Sequence, residues 1–276
     1  MRLIVLTCLT LIAFAANSIL NRLAVDSGAI GPGAFAAIRV GSGALTLAAL
    51  VALSGRSLPL WTPGRWQGAL ALTVYMLGFS LAYRSLDAGL GALILFGVVQ
   101  VSMFVWTALR GAPASARQVT GAAIAFSGLI VVLWPGGGLA VDPLAAALMV
   151  AAGIGWGAYT LLGKAEPDAL AGTAANFAVA FLPVALIGLL PEGLSGIGAA
   201  GIGLAVISGA VTSGLGYAAW YSVLPRLETG LAAVLQASVP VIALAGGVVL
   251  LGEVAGPRLL VGAALVLGGI VLAIRR

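Results

Sequence analysis

Residues 88–133, AGLGALILFGVVQVSMFVWTALRGAPASARQVTGAAIAFSGLIVVL, decide the fold because they occur twice. Moved 141 positions along the chain, they lie ungapped on residues 229–274, TGLAAVLQASVPVIALAGGVVLLGEVAGPRLLVGAALVLGGIVLAI. Gly89-Leu90 falls on Gly230-Leu231, Gly111 on Gly252, Arg117 on Arg258, Gly121-Ala122-Ala123 on Gly262-Ala263-Ala264, and Gly128 on Gly269. Each copy holds two long apolar runs, and a bilayer-spanning helix needs about 20 apolar residues. Nearer the front, Phe14 and Arg22 fall on Trp156 and Lys164 at an offset of 142. The repeat therefore embraces the chain, as residues 1–135 and 139–276, with the Gly136–Gly138 turn between them.

Composition sets the solvent. The chain of 276 residues is 62% hydrophobic and 8% charged, with a mean hydropathy of +1.18. A water-soluble domain carries roughly a quarter charged residues. Ten spans would consume about 200 positions, which leaves no room for a soluble domain. The net charge of +5 comes from basic residues scattered between apolar runs, not from a patch, so no nucleic-acid partner is expected. Cys8 is the sole cysteine and histidine is absent, which rules out an intrachain disulfide and Cys/His metal chemistry. Leu3–Leu20 resembles a signal peptide, with Ala13-Phe14-Ala15 as a mock cleavage site, but the repeat needs this run as its first helix.

The expected fold is an all-α polytopic membrane protein of ten transmembrane helices. Apolar stretches between Gly, Pro and charge breaks place them at 3–24, 32–54, 66–85, 88–109, 118–134, 142–163, 170–190, 199–223, 229–250 and 257–274. With both termini cytoplasmic, the inner ends hold Arg2, Arg56, Arg65, Arg110, Arg117, Lys164, Arg226, Arg275 and Arg276. The outer ends then hold Arg22, Arg84 and Arg258. Each half has an odd number of helices, so the second must enter the membrane upside down. Inverted repeats of this kind are an architecture of secondary transporters, with the site where the halves meet.

These features, together with Gly230-Leu-Ala-Ala, Gln236, Pro240, the Leu-Gly252-Glu253 turn and Gly262-Ala-Ala-Leu, resemble the drug/metabolite transporter superfamily, in particular its bacterial metabolite-exporter (EamA-like) branch. The first half departs, with Phe14 where the family often has Trp and Arg110-Gly111-Ala112 opposite Leu-Gly252-Glu253. The resemblance implies a ten-helix basket in the inner membrane, a central cavity open alternately to each side, and export of amino acids or related metabolites. The superfamily also contains sugar-phosphate and nucleotide-sugar carriers.

A carrier needs polar or aromatic side chains inside an apolar shell. Tyr75, Phe79 and Tyr83 form one stripe on helix three, and Tyr217, Trp220 and Tyr221 form its counterpart on helix eight. For Tyr83 and Tyr221, near helix ends, an interfacial belt is the competing reading. Asn17, Gln100, Asn176 and Gln236 are amides inside spans, and each must hydrogen-bond something other than lipid. Gln236 precedes Pro240, whose missing N–H frees a carbonyl. Trp156 and Tyr159 share a face of helix six and, by the repeat, occupy the places of Phe14 and Asn17. Arg39 is the one charge well inside a span. Its candidate partners are a substrate carboxylate, Asp26 or a neighbouring helix's carbonyls.

All eight acidic residues lie at helix ends or in loops, so facilitated diffusion or exchange is expected, although an end-of-helix carboxylate such as Glu228 or Asp87 leaves proton antiport open. No Walker motif and no enzyme constellation are visible, and neither cofactor nor metal is expected. The anticipated partners are a small-molecule substrate and the lipid bilayer, with the chain as monomer or loose dimer. Sugar-phosphates would demand several buried basic residues; nucleobases, drugs and a channel complete the alternatives.

Overall fold

The computed structural model describes residues 2–109, 115–134, 141–163, 166–190, 196–223, 235–236 and 238–274. Within them lie ten helices and no strand. They are α1 (Arg2–Asp26), α2 (Pro32–Leu53), α3 (Arg65–Ala82), α4 (Ala88–Leu109), α5 (Ala116–Leu133), α6 (Pro143–Gly163), α7 (Ala169–Leu189), α8 (Ala199–Val223), α9 (Val239–Leu251) and α10 (Pro257–Ile274). Arg110-Gly111-Ala112, the Gly136–Gly138 turn, Lys164, Glu192, Arg226, Glu228, Gly230, Arg275 and Arg276 lie outside the described residues.

Six of these helices have the length and apolarity to cross a bilayer, namely α1, α2, α5, α6, α7 and α8, and three further apolar helices are shorter. Large apolar side chains such as Ile4, Leu45, Val119, Leu182 and Val249 point outward. Such a surface suits hydrocarbon, where the backbone is satisfied within each helix. Two ends differ from the sequence expectation. α3 stops at Ala82, and a chain of turn hydrogen bonds leads through Leu86 into α4. The described part of α9 starts at Val239, with Pro240 in its first turn, where a missing N–H costs nothing. α9 ends at Gly252, whose φ of 70° favours glycine.

Helices early in the chain pack on helices late in it. α2 packs on α7, α3 on α6, α5 on α10, α4 on α9 and α1 on α8. The α5–α10 contact brings backbones together: a Cβ built on Gly121 would lie 2.5 Å from the Gly269 carbonyl oxygen, and one on Gly128 would lie 2.8 Å from that of Gly262. Contact with both glycines in reverse order makes these two helices antiparallel. Arg258, at the start of α10, donates to the Val131 and Trp134 carbonyls at the end of α5, which gives the orphan C-terminal acceptors a donor. Without a hydrophobic drive between helices, small residues that admit backbone contact hold such a bundle.

Candidate substrate site

In the interior of the bundle an aromatic box closes around a small void. Phe14 from α1, Tyr75 and Phe79 from α3, Trp156 from α6 and Tyr217 from α8 line it, with Asn17 and Ser18. The rings interlock edge to face or tilted. Phe14 meets Tyr217 at 5.5 Å between centroids, Trp156 meets Tyr75 at 5.0 Å and Tyr217 at 5.2 Å, and Tyr75 meets Phe79 at 5.5 Å. The void measures about 10 Å³, which barely holds one water. The site is therefore closed in this state.

Beside the box lies Arg39, completely buried. Its Nε–H donates to Ser213 Oγ at 3.0 Å and its Nη2 to the Tyr75 hydroxyl at 3.2 Å. The guanidinium sits 4.9 Å from the Phe79 ring centroid and 5.6 Å from that of Tyr75, within cation–π range. Its Nη1 has no hydrogen-bond partner, and no described carboxylate forms an ion pair with it. The Asp26 alternative is overturned, because Asp26 pairs with Arg22 at 3.2 Å at the end of α1.

Ser213 reaches Arg39 because α8 is wound as a π-helix over Ile207–Leu215. In an α-helix, residue i+5 points about 140° away from residue i, whereas π winding stacks the two. Ser208, Thr212 and Ser213 accordingly all donate to Asn17 Oδ1, at 2.8, 2.6 and 3.3 Å. A continuous relay runs from Arg39 through Ser213 to Asn17 and joins α2, α8 and α1.

Toward the end formed by the α2–α3 and α6–α7 connections, a vestibule of about 730 Å³ opens. Tyr159 lies at its wall, stacked on Trp156 at 5.7 Å, so one side chain separates vestibule from box. Arg65 organises this wall. It is 5% exposed and bonds Glu166 in bidentate fashion at 3.0 and 3.1 Å, along with the carbonyls of Pro59 and Gly172 and Asn176 Oδ1. Arg56 pairs with Asp168 at 3.0 Å nearer the mouth.

The opposite end is tied shut. The Glu253 carboxylate accepts the first N–H groups of α4, from Ala88 at 2.6 Å and Gly89 at 3.3 Å, while Arg22 reaches Asp87 at 3.5 Å. Burial pushes the Glu253 carboxyl above its ordinary value; the two N–H donors and Arg22 oppose that shift, and Asp87 adds to it. Ser85 donates to Asp142 across the same end.

Of the residues singled out in the sequence, Asn17, Tyr75, Phe79, Trp156 and Tyr217 converge on the void, with Arg39 alongside. Tyr159 and Asn176 belong to the vestibule. Trp220 supports the box through Phe14, at 5.9 Å. Tyr83 packs edge-on to Phe79 and bonds the Ala88 carbonyl; it is fully buried, which excludes the interfacial-belt reading for this residue. Tyr221 is half-buried with its hydroxyl against Gly163. Gln100 is buried on α4, and Gln236 half-buried before α9; neither lines the void or the vestibule. Sequence reasoning passed over Phe14 as a lining residue, as well as Ser208, Thr212, Ser213, Arg65 and Glu166. The serines and threonine carried one signal, three hydroxyls in six residues of a span.

An all-α bundle with an apolar exterior and a polar, aromatic interior joined to an open vestibule defines a multi-pass membrane transporter. The chain belongs to the EamA-like transporter family, whose model matches residues 143–275. The uncharacterized protein PA1977 of Pseudomonas aeruginosa is 46% identical over 274 residues, which is 98% of this chain and 94% of that one. One protein of known crystal structure superimposes with a TM-score of 0.67 at 21% identity, over 96% of this chain and 98% of its own, a likeness of fold. The family is one of transporters, not of enzymes.

Proposed function

We propose that this protein exports amino acids or closely related metabolites across the bacterial inner membrane by alternating access around the aromatic box. The observation that carries the reading is the pairing of a closed box with a vestibule on one side and a sealed end on the other. A channel would need a continuous polar path, whereas here the interior narrows to a void smaller than any cargo. Residues 1–135 and 139–276 act as the two inverted halves. Supporting this, Gly121 contacts Gly269 while their repeat mates Gly262 and Gly128 contact each other, the pattern a two-fold axis produces. Both termini face the cytoplasm, as does the vestibule, in keeping with the basic residues at that end.

Sugar-phosphates fit the interior poorly, since Arg39 is the one cation at the box among the described residues. Counterflow tests the reading. Proteoliposomes preloaded with single unlabelled amino acids should accumulate labelled phenylalanine, methionine or threonine saturably and faster than empty vesicles. Uptake that neither saturates nor responds to the internal cargo would contradict a carrier.

A further inference from the structure

Among the described residues, the aromatic box has two buried donors to spare and no carboxylate to offer. Arg39 Nη1 and Trp156 Nε1 are buried donors without partners, and they flank the Tyr75 ring, which contacts both side chains. The side-chain amide oxygen that lines the void, Asn17 Oδ1, is already taken by three hydroxyls. Two further buried polar atoms lack partners, Asn21 Oδ1, one turn further along α1 beside Ser80, and the Tyr159 hydroxyl at the vestibule wall, and neither residue lines the void. Charge follows the same pattern. Arg39 brings one positive charge into the bundle, and no described carboxylate answers it.

A buried cation in a low-dielectric interior calls for an anion, and an unpaired buried donor calls for an acceptor. An amino-acid zwitterion supplies a carboxylate but adds an ammonium, which would meet ring faces and no carboxylate, leaving the occupied site with a net positive charge. A monocarboxylate without an amine leaves it neutral. If it also carries a 2-oxo or 2-hydroxy oxygen, it offers an acceptor to the Trp156 N–H while the carboxylate meets Arg39. The surrounding rings suit an apolar or aromatic body.

We infer that the box recognises its cargo as a monoanion, the 2-oxo or 2-hydroxy acid counterpart of an apolar or aromatic amino acid, with Arg39 binding the carboxylate and Trp156 Nε1 the adjacent oxygen. This rests on the carrier reading above and narrows its cargo. Opening the box must first draw Tyr75 and Phe79 off the guanidinium, so entry of the anion replaces cation–π contacts with charge-assisted hydrogen bonds.

The test is competitive counterflow of labelled phenylpyruvate and labelled phenylalanine in proteoliposomes of the full chain. The wild-type protein should exchange phenylpyruvate faster. Arg39→Gln should reduce phenylpyruvate exchange roughly 10- to 100-fold, as expected for a lost charge-assisted hydrogen bond, while shifting the preference toward phenylalanine. Trp156→Phe, which keeps a ring and removes the N–H, should lower phenylpyruvate exchange about 3- to 10-fold and leave phenylalanine less affected. The wild-type comparison decides even where a variant fails to fold, as judged by gel filtration. Trans-stimulated phenylalanine exchange without phenylpyruvate exchange would overturn this inference and leave the carrier standing. Absence of trans-stimulation by both these cargoes and by the amino-acid panel would overturn the two together.

Discussion

Arg65 and Arg39 show how far a residue's role depends on partners distant in sequence. Both read as single basic residues in an apolar chain, and depth within a span separated them, singling out Arg39. Nothing local announced that Arg65 would be buried against Glu166, because that pair joins positions 101 residues apart. Removing one partner of a buried ion pair strands the other, at a cost of about 3–5 kcal/mol. The Glu166 side chain, 25% exposed, moderates that figure. Arg65→Ala should accordingly lower the melting temperature in detergent and disorder the vestibule wall. Arg65→Lys should recover part of the loss, since an ammonium cannot reproduce the bidentate fork. An unchanged melting temperature in Arg65→Ala would show the hub to be dispensable. Asn17→Ala offers a contrast. Its three hydroxyl donors lose their shared acceptor, but Thr212 can still bond the Ser208 carbonyl, so exchange should fall far more than stability, measured by counterflow and thermal melting on the same preparation.

Helices were the most legible level, since apolar runs punctuated by glycine, proline and charge set nearly every end within a few residues. What stayed hidden was winding. The π stretch of α8 leaves no distinctive mark in ISGAVTSGL, yet it delivers Ser213 to Arg39. Gly121 and Gly269 were visible as repeat positions, and the structure adds the reason for their size, a contact in which no side chain fits. Gly269→Leu should separate α5 from α10 and abolish folded protein on gel filtration, whereas Gly268→Ala, at a position with open space, should be tolerated. The Glu253 turn makes a prediction about pH. Its carboxyl is raised from 4.5 when buried, so the sealed end binds its proton more tightly than a solvated carboxylate would. Acidification through the range just above 4.5 therefore stabilises the sealed end, and deprotonation favours opening. Labelling of a cysteine at Ala88, in a Cys8→Ser background, should slow as pH falls, after correction for thiolate reactivity at an exposed control site. Glu253→Gln should flatten that dependence.

At the scale of the whole molecule, composition alone placed the chain in lipid. Cargo chemistry was less legible, because it depends on which donors end up without partners, and that is decided by packing among α1, α2, α3, α6 and α8. The central claim is that the two ends open in alternation. It is tested most directly by two single-cysteine variants made in Cys8→Ser. Leu86→Cys lies buried at the sealed end and Gln67→Cys exposed at the vestibule. Each is titrated with a bulky maleimide, with and without saturating cargo. Reciprocity is predicted, with Gln67→Cys reactive and Leu86→Cys protected at rest, and with any condition that exposes Leu86→Cys protecting Gln67→Cys. Simultaneous reactivity of both sites in one condition, at full stoichiometry, would contradict alternating access and describe an open pore.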